Sequence, residues 1–258
     1  LAVEVQKNPA LGPMPSYSML RRHMKSHGMI KTRRLGPRGR PSVEAAEARL
    51  EQREVRSYEA EYVHGLWHLD FHHGSRKVLT TQGEWKKPLL LAIMDDRSRL
   101  CCHAQWYLHE GEEDLIHGLC QALQKRGIPR LLMTDNGSAM RAAETQQGLL
   151  RLGILQEMTL TYSPYQNGKQ ENFWGRVEGR LMAMLENLGS LSLGKLNEAT
   201  LAWVEREYNR EVHSETKQTP IDRFLDGPTV GRPCPSWEAL QEAFTQEEPR
   251  TQRRSDGT

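Results

Sequence analysis

The sequence predicts an α/β fold, a mixed five-stranded sheet flanked by helices, and three observations predict it. From Leu66 onward three short apolar runs, WHLDFHH (67–73), KPLLLAIMDD (87–96) and LCCHAQWYL (100–108), succeed one another with turn residues between them. After them, strand-like runs alternate with helical patterns, an order that brings strands into parallel pairs. The chain has 258 residues, enough to bury a sizeable core, and no uninterrupted apolar run approaches the roughly 18 residues of a membrane span.

The elements come in chain order. Ser16 or Ser18 caps a short helix, SYSMLRRHMKSHG, that sets Met19, Leu20 and Met24 on one side and Arg21, Arg22 and Lys25 on the other. It is similar to the last helix of a helix-turn-helix, and TRRLGPRGRPS (32–42) has the Gly, Pro and Arg content of an extended linker. Residues 43–62 are rich in helix formers with few core residues, which predicts a solvated connecting helix. In the next segment Asp95-Asp96-Arg97-Ser98 supplies the turn between the second and third long strands, and GSRKVLTTQGEWK a longer hairpin before them. Leu115, Leu119, Ala122 and Leu123 recur at helical spacing in 111–127, with Gly127 at the end. RLLMTD is then a short buried strand, AMRAAETQQGLLRLG a helix and ILQEMTLTY a strand. Asn167 and Gln170 form a capping box for a helix from Gly168 to about Leu188, and 192–213 is another helix. The expected boundaries are 1–42 for the partial helix-turn-helix and basic linker, 43–62 for the connecting helix, 63–228 for the core and 229–258 for a linker and a C-terminal segment.

Charge is unevenly placed. The first 42 residues carry nine Lys or Arg, among them Arg33, Arg34, Arg38 and Arg40, against one acid, Glu4; that is +8, and −6 for the rest of a chain whose net charge is +2. A basic arm on an acidic body is the footprint of a polyanion binder, and nucleic acid is the partner it implies. The four cysteines form no CxxC pair, and the start shows no apolar run behind a basic one, so reduced thiols, a cytoplasmic setting and no secretory signal are expected. Without an initiator Met at its start, the sequence is expected to be a fragment, clipped at both ends.

Three acids stand out. Asp70 lies within the first strand between Leu69 and Phe71, Asp135 ends the fourth, and Glu171 lies in the first turn of the long helix. If the first and fourth strands are neighbours, the two Asp carboxylates meet, and a helix crossing that edge can deliver Glu171 to them. Carboxylates so close repel one another unless cations bind them or protons are retained; two Mg²⁺ ions, hard and oxygen-seeking, resolve the conflict. Alternatives stand beside this reading: Asp95 or Asp96 in place of Asp70, and a zinc site built on His68 and His72, which share a strand face with Asp70. On the long helix, Trp174, Leu181 and Leu185 make an apolar stripe, while Lys169, Asn172, Arg176 and Arg180 fall on another face, well placed for phosphates.

The set WHLDFHHG, MTDNGSAM and SPYQNGKQENFWGR, with 35 residues between Asp135 and Glu171, resembles the catalytic core of DDE transposases and retroviral-type integrases over roughly residues 64–225. The resemblance implies a ribonuclease-H-like fold with Asp70, Asp135 and Glu171 as catalytic and metal-ligating residues for two Mg²⁺ ions, with Mn²⁺ able to substitute. It further implies water attack at a transposon end, attack of the freed 3′-hydroxyl on target double-stranded DNA, a homo-multimer on paired DNA ends, an ATPase partner in some members, and a bacterial mobile element acting at the nucleoid. Two rival readings are a metal-dependent nuclease and a DNA-binding remnant without catalysis. In relatives resembling the phage Mu transposase a small β-barrel comes after the core. PRTQRRSDGT (249–258) is similar to its first strand and turn, so a truncated barrel entry, unpaired and mobile, is expected there.

Overall fold

The computed structural model describes residues 59–159 and 168–245, together with Met19, His23, Met24, Ser26 and His27. The chain divides into two compact units, Leu1–Ser57 and Tyr58–Thr258. In the first, Met19, His23, Met24 and Ser26 are helical, and the His27 N–H donates to the His23 carbonyl at 3.1 Å. The linker, most of the connecting helix, Arg21, Arg22, Lys25, Arg33, Arg34, Arg38, Arg40, Asn167 and 249–258 lie outside the described residues.

The second unit is built on strands β1 (Trp67–His73), β4 (Leu89–Asp95), β5 (Cys101–Tyr107), β6 (Leu131–Thr134) and β7 (Leu155–Met158), in the sheet order β5-β4-β1-β6-β7. β1, β4 and β5 pair antiparallel, whereas β6 joins β1 in parallel and β7 joins β6 in parallel. The hairpin expected before β4 is a separate two-stranded ribbon, β2 (Val78–Leu79) and β3 (Trp85–Lys86). β4 is buried along its whole length, as an interior position in a sheet covered on both faces requires. Its Leu91 and Ile93 join Trp67 and Leu69 in one core, and Leu90, Ala92 and Met94 enter a second core on the opposite face. Period-two alternation therefore puts His68, Asp70 and His72 on the face of the second core.

Helices cover both faces. α1 (Glu112–Arg126) lays Leu115, Leu119, Ala122 and Leu123 on the first core. α2 (Ser138–Arg141) and α3 (Ala143–Arg151) stand where a single helix was expected; the chain breaks at Ala142, whose ψ of 142° is extended. α4 (Gly168–Arg176) continues through a π-helical turn, Val177–Leu181, into α5 (Met182–Met184), and buries Phe173, Trp174, Val177 and Leu181 in the second core. α6 (Leu193–Arg206) covers the same face and ends short of the expected 213, giving way to a 3₁₀ turn at Tyr208–Arg210. The edge of β5 is closed by side chains. Asn197 accepts from the Trp106 N–H at 2.7 Å and donates to its carbonyl at 3.1 Å, and Asn209 does the same for Cys101 at 3.0 and 3.1 Å. Two amides thus occupy an edge that would otherwise invite another strand.

Packing does not stop at Pro228. After α7 (Pro220–Asp226) the backbone bridges Val63 through Thr229 and Ile128 through Arg232, and α8 (Trp237–Ala243) sends Leu240, Ala243 and Phe244 into the first core. Gly148 of α3 permits this: a Cβ there would lie 2.1 Å from the Phe244 ring. Residues 59–62 are not helical; Glu59 instead pairs with Arg99 and Arg223, and the Ala60 N–H donates to Asp96 at 2.7 Å.

Candidate active site

The parallel register of β1 and β6 sets Leu69 opposite Thr134, so the next residues along, Asp70 and Asp135, emerge side by side at the sheet's centre. Asp70 is partly buried. Burial first, then the neighbouring Asp135 charge, push its carboxyl up to about 7; Glu110 adds to the push, against hydrogen bonds from the Phe71 backbone and the Trp174 side chain. Asp135 accepts the Gly137 N–H at 2.9 Å. A Cβ on Gly137 would lie 3.0 Å from Asp135 Oδ1 and 3.4 Å from Glu110 Oε1, so these two carboxylates converge on one glycine. Asn136 shapes the turn beside them, donating to the Thr159 carbonyl at 3.0 Å and accepting from Arg141 at 3.0 Å. Among the described residues no Lys, Arg or His forms an ion pair with Asp70, Asp135 or Glu110.

Glu171 is exposed in the first turn of α4. Trp174 and Glu178, three and seven residues on, share its side of the helix and both reach β1. Trp174 bonds Asp70 and stacks on His72 with ring centroids 4.9 Å apart; Glu178 meets His72 Nε2 at 3.4 Å and the Ser75 N–H at 3.2 Å. The structure thus unites Asp70 and Asp135 and leaves Glu171 outside their pair. Among the described residues no three His, Cys, Asp or Glu side chains are set around one metal position. Two like-charged oxygen donors with no cationic side chain beside them are nonetheless a donor set that fits a hard divalent cation.

The alternative ligands have other partners. Asp95, wholly buried, accepts from the His64 N–H at 2.8 Å, the Ser98 N–H at 2.8 Å and the Ser98 hydroxyl at 2.6 Å, the bonding of a turn residue. Asp96 takes His68 Nε2 at 2.7 Å and the Lys169 ammonium; burial would raise its carboxyl, but His68 and Lys169 outweigh it and hold it well below the usual range. His68 and His72 therefore face separate carboxylates, Asp96 and Glu178. Of the row expected to meet phosphates, Lys169 holds Asp96, Arg176 and Arg180 share Glu211, and Asn172 is exposed. Sequence reasoning missed Glu110, Trp174 as a partner of Asp70, and the Asp96 junction. Only Glu110 left a signal, as the first acid of a cluster between a strand and a helix N-terminus.

Residues 60–164 match the family model described as "Integrase core domain". No curated protein matches the chain. Among solved structures, a chain of the simian T-cell lymphotropic virus intasome in complex with PP2A regulatory subunit B56 gamma is similar over 76% of this chain and 63% of its own length, with 19% identity and a TM-score of 0.56. The BIV integrase catalytic core domain is similar over 63% of this chain and 94% of its own, with 20% identity and a TM-score of 0.50. The chain thus spans under two thirds of the first of these neighbours, and the fold around Asp70 and Asp135 is the ribonuclease-H-like fold of an integrase core.

Proposed function

We propose that the chain is the catalytic core of a DNA transposase or integrase, a polynucleotidyl transferase that cleaves phosphodiesters at element ends and joins the freed 3′-hydroxyl to target DNA. One observation carries the reading: Asp70 and Asp135 are forced together at the centre of an integrase-type sheet, with no cationic side chain among the described residues paired to them and a carboxyl pushed up to about 7. Such a pair gains most when an external cation neutralises it.

Asp70, Asp135 and Glu171 would hold two Mg²⁺ ions, or Mn²⁺ in their place. Bound there, the ions supply activation of the attacking water or hydroxyl and stabilisation of the leaving oxygen. The residues themselves do the orienting. Gly137 fixes Asp135 through its N–H, Trp174 fixes Asp70 through its side chain, and α4 presents Glu171 on the side from which Trp174 and Glu178 reach β1. The basic segment 1–42 supplies sequence-independent grip on phosphates, and the reading extends to a homo-multimer on paired DNA ends, with an ATPase partner as a further component. No helix among the described residues is long and apolar enough to cross a membrane, and action at the bacterial nucleoid belongs to the same reading.

A disintegration assay on preformed branched DNA tests the proposal. Wild type is expected to rejoin the strand in Mg²⁺, and Asp70→Asn, Asp135→Asn and Glu171→Gln each to abolish joining while DNA binding persists. Cutting without joining makes the chain a nuclease, and neither activity makes it a DNA-binding remnant. Joining near the wild-type rate in any one purified variant removes that residue from the site.

A further inference from the structure

We infer that Asp96 is a positioning residue, a buried clamp that sets the helix bearing Glu171 against the strand bearing Asp70; this rests on the reading of those acids as metal ligands. Its carboxylate is 1% exposed and sits at the turn after β4. One oxygen, Oδ1, takes both His68 Nε2, at 2.7 Å, and the Lys169 ammonium, and the other takes the Ala60 N–H at 2.7 Å. His68 precedes Asp70 by two residues on β1, and Lys169 precedes Glu171 by two on α4. A single carboxylate oxygen therefore ties together the segments that carry two of the three proposed ligands.

The attachment continues up the helix. One turn and more beyond Lys169, Trp174 meets Asp70 and His72, and then Glu178 meets His72 and Ser75. α4 and the π-helical turn that continues it are thus fastened to β1 at three levels, and Asp96 supplies the first, at the end where Glu171 lies. Glu171 itself is exposed and stands apart from the aspartate pair, so its place relative to Asp70 depends on where the first turn is anchored. Lys169 has its own reason to stay: its side chain is 21% exposed, and the Asp96 charge opposes, without cancelling, the burial that lowers its basicity. Groups one layer behind metal ligands typically alter metal affinity or activity by about 10- to 100-fold when removed.

The test is Mn²⁺ titration of the 258-residue chain monitored by electron paramagnetic resonance, run beside the Mg²⁺ dependence of joining on branched DNA. Lys169→Met and Asp96→Asn are expected to weaken the weaker Mn²⁺ site by about 10-fold and raise the Mg²⁺ requirement similarly, with the rate recovering at saturating Mg²⁺. Lys169→Arg, which keeps the charge, is expected to restore most of the loss. A Lys169→Met protein that melts cooperatively yet binds Mn²⁺ and uses Mg²⁺ as wild type does overturns the proposal. If Asp96→Asn does not fold, the partly exposed Lys169 variants decide the matter alone. Wild type that takes up no Mn²⁺ defeats the ligand reading and this proposal with it, whereas normal uptake with unaltered variants defeats only the clamp.

Discussion

Asp70 and Asp96 are two carboxylates on the same sheet face, and their surroundings drive them in opposite directions. Asp96 is the more hidden of the two, yet it stays charged, because His68 and Lys169 more than offset its burial. Asp70 retains more contact with solvent, but it is pushed up to about 7 because burial is compounded by Asp135 and then Glu110, and only two hydrogen bonds oppose them. Depth alone does not separate a structural acid from one arranged for a ligand. The difference is whether the protein supplies the counter-charge itself.

The largest effect that would sharpen this contrast is on stability. Asp96→Ala leaves the Ala60 N–H, His68 and Lys169 without their shared acceptor, and is expected to destabilise the fold by about 3 kcal/mol, as removal of one partner from a buried ion pair does. Asp70→Asn is expected to do the reverse in metal-free protein at neutral pH, since it removes a repelling charge. Urea unfolding of both variants reads this directly; destabilisation of equal size in the two would mean that Asp70 is structural too.

A second, smaller effect lies in pH. Asp70 has a folded value above its unfolded one, so metal-free protein binds a proton there that the unfolded chain has already lost. Its contribution is complete below about pH 4, declines as pH rises, and is gone above about pH 7. The stability gap between Asp70→Asn and wild type should therefore widen from pH 5 to pH 8, by no more than about 2 kcal/mol once solvent screening at the partly exposed carboxyl is allowed for. Saturating Mg²⁺ should close or invert the gap at pH 8, because only wild type gains full binding energy. Thermal melts at the two pH values, with and without Mg²⁺, check the sign, and a gap that narrows with pH breaks the comparison.

How much of this was legible in the sequence depends on the distance over which each feature acts. β1, β4, β5 and α1 announce themselves through local alternation and helical spacing, and Asp70 and Asp135 come with them because a parallel β1–β6 pair must bring the middle of β1 beside the end of β6. The break between α2 and α3 was not legible: AMRAAETQQ contains neither Gly nor Pro, and Thr145 instead satisfies its hydroxyl on the Ala139 carbonyl at 3.0 Å across the kink. The Asp96 clamp joins residues 73 apart, and the Asn209 cap on β5 joins residues 108 apart, so neither leaves a periodic trace. Glu171 shows the converse. Its motif singles it out, while its side chain stands exposed and apart from the aspartate pair.

The smallest expected effect concerns the other face of α4, where the protein again supplies its own counter-charges. Arg176 meets Glu211 at 3.2 Å and lies 5.7 Å over the Tyr208 ring, and Arg180, half-exposed, shares the same carboxylate. Exposed pairs of this kind contribute about 0–1 kcal/mol, so Arg180→Ala should barely move stability. Their consequence for DNA is larger than their consequence for folding. If phosphates compete with Glu211 for the two guanidinium groups, Arg176→Glu should weaken binding and lower the slope of log K against log salt by about one. Glu211→Gln should steepen that slope, because both arginines are then released to the phosphates. Fluorescence anisotropy of a labelled duplex across a salt titration measures both. Slopes unchanged in the two variants would make the Arg176–Glu211–Arg180 cluster a structural counterpart of the Asp96 junction, with no share in the DNA interface.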